Sequence, residues 1–355
     1  MDKRVLIVDD MKENIDILMH TLKGQYAVMA ARSGEAAVAL MEKKPPDLVL
    51  MDVTMPGMGG FDVLAYMSRN KALSHIPLIF ITAEYDAGLE EKGLGMGAVD
   101  YICKPFNTAV VSAKVRNYLE HKKLSDSLED LARARARQIA SSREAIVMGL
   151  SLLSESRDRV TGLHINRMKE YARVLTDTLM KRDPSLLDPK RAALIVLYSP
   201  LHDMGKAGIP GHVLNSPHAF TDADREIMQS HTLNGADILR RTDLFLPEDA
   251  EDSGLDIAVE IVESHHEKYD GTGYPAGKNG EEIPLSARII ALPDVYDALR
   301  SPRPYKPSRS HEEAALAVTE GDGRTRPAHF DPMLLDIFKD IHPQFDRIYN
   351  QATMI

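Results

Sequence analysis

Residues 48–60 read LVLMDVTMPGMGG, and the first five of them decide the fold of the N-terminal part. Leu48 to Met51 form a short, unbroken apolar run that closes on a carboxylate, Asp52. Val5 to Val8, Ala27 to Ala30, Leu78 to Ile81 and Tyr101 to Cys103 are further runs of the same kind. Amphipathic stretches such as Glu35 to Glu42 and Gly60 to Ser68 lie between them. This alternation predicts an α/β domain, a doubly wound five-stranded parallel sheet with helices on both faces. Ligands of such sheets sit beyond the carboxyl ends of the strands. Those ends carry Asp9-Asp10, Asp52-Val53, Thr82-Ala83 and Lys104-Pro105, so one rim gathers the polar groups.

Three carboxylates at one rim repel each other unless a cation joins them. Oxygen-only ligands favour Mg²⁺, which keeps some of its waters and so suits a phosphoryl ligand. Lys104 offers a point charge for a phosphoryl oxygen and Thr82 a hydroxyl. The set suits phosphoryl transfer onto a carboxylate, with Asp52 as nucleophile. A single strand-end Asp is most simply a solvated loop residue; acids at successive strand ends with a Lys-Pro after the fifth are not.

The motifs VLIVDD, LVLMDVTMPGMGG, IFITA and YICKPF, within Lys3 to His121, resemble the receiver domain of two-component response regulators. The resemblance implies a phosphoaspartate at Asp52 and Mg²⁺ held by Asp10 and Asp52. The Thr54 carbonyl, and Asp9 through water, would assist. Thr82 and Tyr101 match the two switch positions of that family, and a sensor histidine kinase is the implied phosphoryl donor.

The chain has 355 residues, enough for two domains. Its 53 acidic against 43 basic residues give a formal charge of −10, which argues against a nucleic-acid coat. One cysteine, Cys103, excludes an internal disulfide framework and suits a reducing compartment. The N-terminus lacks the long apolar region of a signal peptide, and no stretch approaches the ~20 apolar residues of a membrane span. These features predict a cytoplasmic protein. From about Asn107 to Leu153 there is no proline, and Lys, Arg, Glu, Leu and Ala favour long helices. Val111, Tyr118, Ser125, Ala132, Ile139, Ile146 and Leu153 fall at heptad intervals, a weak coiled-coil pattern that a solvated helix would equally show. Beyond it every pattern is helical, including Thr161 to Met180, Arg191 to Asp203, Asp222 to Arg240 and Gly254 to His266. The expected division is 1–121 for the α/β domain, 122–144 for a helical linker and 145–355 for an all-α domain.

Five of the thirteen histidines, His164, His202, His231, His265 and His266, anchor the second half, with Asp203 and Asp294. A lone His-Asp pair is ordinary helix polarity. Together, imidazoles and carboxylates suit iron, manganese or zinc and not Ca²⁺. Two such metals ~3.5–4 Å apart can stabilise both the attacking and the leaving oxygen of a phosphodiester.

HDMGKAGIP at His202 to Pro210 and HHEKYDGTGYPAG at His265 to Gly277 are similar to the two name-giving signatures of HD-GYP phosphodiesterases. SRDRVTGLH at Ser156 to His164, IPLSARIIALPDVYDALRSPRPYK at Ile283 to Lys306 and FDP at Phe330 to Pro332 extend the likeness. It implies two divalent metals, iron or manganese, on His164, His202, Asp203, His231, His265, His266 and Asp294. Asp203 would bridge them as a catalytic group, and Lys206 would sit near the scissile phosphate. Tyr274 would shape the pocket, and Arg303 and Lys306 would hold the dinucleotide. Two departures stand out. Val160 occupies the place where some members carry a glutamate for a third metal, which implies two metals here, with Glu155 and Asp158 as nearby acids that could replace it. Asn215 to Phe220 replaces a Lys-Pro-Gly-x-Leu stretch.

The expectation is a response regulator that hydrolyses cyclic di-GMP to pGpG, or onward to GMP, under control of Asp52. The alternatives are another cyclic dinucleotide such as cyclic GMP-AMP, or a non-catalytic module that docks a diguanylate cyclase. A homodimer is the expected assembly.

Overall fold

The computed structural model describes residues 3–83, 87–156, 162–216, 218–245, 253–302 and 308–352. By contacts the chain divides into two units, 1–137 and 138–355.

In the first unit each expected apolar run lies within a strand. The order is β1 (Arg4–Val8), α1 (Lys12–Leu22), β2 (Ala27–Ala31), α2 (Gly34–Lys43), β3 (Leu48–Asp52), α3 (Gly60–Arg69), β4 (Leu78–Thr82), α4 (Ala87–Gly95), β5 (Asp100–Cys103) and α5 (Thr108–Glu155). The strands form one parallel sheet in the order β2-β1-β3-β4-β5. Side chains alternate across it. Leu6, Val8, Met51 and Phe80 enter one apolar cluster, and Val5, Ile7, Leu50 and Ile79 enter the other with Val111, Val115 and Leu119 of α5. Burial on both faces explains the unbroken apolar runs. The strand order reverses between β1 and β3, and Val8 pairs with Met51 there, so Asp9 and Asp52 share one rim at that switch.

The segment 122–144 lies wholly within α5. The heptad positions of α5 do not share one environment within the chain. Val111 is buried, whereas Ile139, Ile146 and Leu153 are 67%, 63% and 69% exposed.

The second unit is helical: α6 (Leu163–Arg182), α7 (Pro189–Tyr198), α8 (Gly211–Leu214), α9 (Asp222–Gln229), α10 (His231–Asp243), α11 (Leu255–Ser264), α12 (Leu285–Arg300), α13 (His311–Thr319) and α14 (Pro332–Ala352). Helix α6 packs against α7, α12 and α14. Tyr171, Tyr296, Phe338 and Phe345 fill the middle of the core, with the Tyr171 and Phe345 rings stacked at 4.4 Å. Two expected helices are broken. The pattern over Arg191 to Asp203 ends as α7 at Tyr198, because Pro200 lacks the N–H that a continuing helix would use. His202 and Asp203 therefore stand between two short 3₁₀ turns, Ser199–Leu201 and Met204–Gly208. The pattern over Asp222 to Arg240 is two helices that meet at Ser230. Among the described residues no helix is long and apolar enough to cross a membrane.

Candidate functional site

At the rim of the first unit, oxygens of Asp9, Asp10 and Asp52 lie within 4.8 Å of one another. Lys104 Nζ reaches Asp9 Oδ2 at 2.9 Å and Asp52 Oδ2 at 2.6 Å. Asn14 Nδ2 donates to Asp9 Oδ1 at 2.9 Å, and the Thr54 amide donates to Asp52 Oδ1 at 3.2 Å. Burial and the nearby Asp9 charge push the Asp52 carboxyl above its usual range, against the pull of Lys104. Burial works against the Lys104 charge, yet the two carboxylates outweigh it and hold its proton more tightly than usual. The set fits a divalent cation, which would relieve the repulsion that Lys104 relieves in part. Thr82 ends β4 beside Cys103 of β5. Tyr101 is turned inward and buried, its ring 5.3 Å from that of Phe80. Its hydroxyl lies so close to Gly93 that a Cβ there would come within 1.8 Å.

The second constellation is built from four helix ends and one helix middle. His164 opens α6, His202 and Asp203 follow α7, His231 opens α10, His265 and His266 follow α11, and Asp294 lies within α12. Backbone carbonyls in the last turns of helices can accept a second hydrogen bond, and three of the histidines use them. Nδ1 of His202 meets Ser199 O at 2.9 Å, and Nδ1 of His231 meets Met228 O at 2.7 Å. Nδ1 of His265 meets both Ile261 O and Val262 O at 3.1 Å. A carbonyl only accepts, so each Nδ1 carries a proton and each ring turns its Nε2 inward, bare wherever the ring is neutral. His164 achieves the same through a carboxylate, with Nδ1 2.7 Å from Asp297 Oδ2. Gly205 lets this turn lie against α10, since a Cβ there would fall 1.9 Å from His231 O.

The inward atoms face one another. Asp203 Oδ1 stands 3.3 Å from His231 Nε2 and 3.9 Å from His265 Nε2. All three atoms are buried without a hydrogen-bond partner among the described residues. Asp203 Oδ2 stands 3.3 Å from His202 Nε2 and accepts from Lys206 Nζ at 2.7 Å. His164 Nε2 and His202 Nε2 approach to 3.3 Å. Asp294 completes the ring, 3.9 Å from His202 Nε2 and 4.0 Å from His266 Nδ1. Lone pair against lone pair is unstable in a buried site unless a cation lies between. Burial disfavours a charge on His202, but Asp203 and Asp294 outweigh it and raise its pKa to about 9. Burial lowers His231 and His265, and takes His266 down to about 4, so those rings stay neutral. Neutral imidazoles with fixed Nδ1 protons are the form that binds metal. Two donor groups result, Asp203 with His231, His265 and His266, and His164 with His202 and Asp203, sharing one carboxylate. The donor set fits two divalent ions.

Tyr274 lies over the centre, its ring 4.8 Å from that of His266. Arg303, Lys306 and Val160 lie outside the described residues, as does Pro217 of the divergent loop. Sequence reasoning missed two supporting carboxylates. Asp297 accepts from His164 and from Arg167 Nε at 2.6 Å and Nη2 at 2.7 Å, and from the Tyr171 hydroxyl at 3.2 Å. Its one available signal was its place three residues after Asp294 on the same helix face. Glu267 accepts from the backbone N–H of Ala276 at 2.8 Å and of Lys278 at 3.1 Å, and so holds the loop that carries Tyr274.

Residues 5–116 match the response regulator receiver domain family and residues 114–334 the HD domain family. The chain belongs to the HD domain family, in a form that opens with a response regulator receiver domain. It is similar over 94% of its length, at 38% identity, to the "Probable cyclic di-GMP phosphodiesterase" of Vibrio cholerae, covering 76% of that protein. It is 30% identical over 98% of its length to a cyclic di-GMP phosphodiesterase of Thermotoga maritima, covering 92% of it. It is 29% identical, again over 98%, to the cyclic di-GMP phosphodiesterase response regulator RpfG of Xanthomonas campestris, covering 90% of it.

Proposed function

We propose that this chain is a phosphorylation-responsive, metal-dependent phosphodiesterase that opens cyclic di-GMP to linear pGpG. The observation that carries the reading is the inward convergence of Asp203 Oδ1, His231 Nε2 and His265 Nε2, buried and without hydrogen-bond partners. Two divalent ions there, iron or manganese, would supply an activated water and stabilise the charge on both reacting oxygens. Asp203 bridges the two donor groups. His164 and His202 hold one side with Asp294, and His231, His265 and His266 hold the other. Lys206, anchored on Asp203, directs a positive charge at the phosphodiester, and Tyr274 walls the pocket over His266. Arg303 and Lys306 would hold the dinucleotide. Water adds across one phosphodiester as its P–O3′ bond breaks.

In the receiver domain, Asp10 and Asp52 would hold Mg²⁺, helped by Thr54 and Asp9. Asp52 accepts phosphoryl from a sensor histidine kinase, Lys104 pairs with the new oxygens, and Thr82 and Tyr101 report the change. The segment 122–144 transmits it, and the exposed Leu124, Leu128 and Leu131 support a homodimer through α5. Kinetics on cyclic di-GMP and cyclic GMP-AMP, with and without a phosphoryl mimic at Asp52, test the reading. Preference for cyclic di-GMP and a rate that responds to the mimic are expected. Equal turnover of both substrates, or indifference to the mimic, counts against it.

A further inference from the structure

One acid beside the metal centre has no role in the reaction described so far. Glu155 is the last residue of α5 and only 6% exposed. Its Oε2 is buried and has no hydrogen-bond partner among the described residues. A buried, unpaired carboxylate is costly, and burial pushes this carboxyl above its usual range. The charges acting on it are those of His164 and His202, then Asp203 and Lys206. The two imidazoles belong to the His164 side of the centre, and Asp203 is shared by both sides. The position is built. The Ser154 hydroxyl bonds the carbonyls of Asp203, at 3.2 Å, and Met204, at 3.0 Å, and so fixes the end of α5 to the turn that carries His202 and Asp203.

We propose that Glu155 is an eighth protein ligand of the metal centre, giving a carboxylate oxygen to the ion held by His164, His202 and Asp203. The proposal rests on the two-cation reading above and deepens it. Asp203 and Asp294 bring two negative charges against four on two divalent ions in a buried site, and Glu155 adds a third. It also makes the two positions unequal. The ion on the His164 side gains a further hard oxygen donor, whereas the other side is dominated by imidazole. Softer and harder divalent ions sort between such positions by donor type.

The test is a Mn²⁺ titration of metal-free full-length protein, wild type and Glu155→Gln, read by the free Mn²⁺ signal, with thermal unfolding of both metal-free forms alongside. Wild type should bind two ions. Glu155→Gln should weaken one of them about ten-fold or more and leave the other within about two-fold. Its metal-free form should unfold at the same or a higher temperature, because an unpaired buried charge has been removed. Glu155→Asp, which keeps a shorter carboxylate, should fall between the two. Two unaltered affinities in Glu155→Gln, or equal weakening of both, overturns the role of Glu155. A wild type that binds no ion at all overturns the two-cation reading itself.

Discussion

The two acidic centres of this chain solve the problem of clustered like charge in opposite ways. At the receiver rim a neutralising cation is built in: Lys104 bridges Asp9 and Asp52. At the helical centre what is missing is a partner for inward-facing lone pairs. Lys206 meets one oxygen of Asp203, and the other faces two bare imidazole nitrogens. The first centre can stand without metal and exchange it readily, as a switch should. The second is incomplete without metal, as a catalytic centre that retains its ions should be.

If that difference is real, removing the shared carboxylate should be most damaging. Asp203→Asn should lower hydrolysis by roughly 10³-fold or more, because it takes away a group that acts with all the others. Steady-state rates with metal content on the same sample will show it, and near-normal turnover would place the bridge elsewhere. Next in size is the support beneath His164. Asp297→Asn leaves the buried Arg167 guanidinium without its full counter-charge, which should cost about 3–5 kcal/mol in denaturant unfolding of the metal-free protein. A loss near zero would mean that Arg167 finds another partner.

The receiver should respond in the opposite sense. Lys104→Met removes a cation that competes with Mg²⁺, so Mg²⁺ should bind severalfold more tightly while phosphorylation of Asp52 slows. Calorimetric titration and intact-mass labelling measure the two effects, and weaker Mg²⁺ binding would show that Lys104 orders the site instead of competing. The smallest effect is expected at Ser154→Ala, about 1 kcal/mol for its bonds to the Asp203 and Met204 carbonyls. A loss of metal affinity well beyond that would make the end of α5 a larger part of the centre.

How far the sequence could be read follows from the range of the interactions. The receiver rim was readable because its acids end apolar runs, and the end of a parallel strand is itself a functional place. The histidine set was readable as motifs, since His202-Asp203 and His265-His266 are adjacent in the chain. Asp297 was not: it looks like ordinary helix polarity until α6 brings His164 and Arg167 to it from more than a hundred residues away. The turn at His202 was misread as helix, although Pro200 carried the warning. The heptads of α5 could not be read as one seam, because periodicity does not say which residues a neighbouring core will take, and Val111 packs in the core beneath the sheet.

The most direct test joins metal to chemistry in one sample. Protein purified without oxygen should carry two divalent ions per chain and convert cyclic di-GMP to pGpG. Chelation should abolish turnover, and iron or manganese should restore it as the second ion loads. Undiminished hydrolysis by metal-free protein, or none by protein with both ions bound, would contradict the two-metal centre.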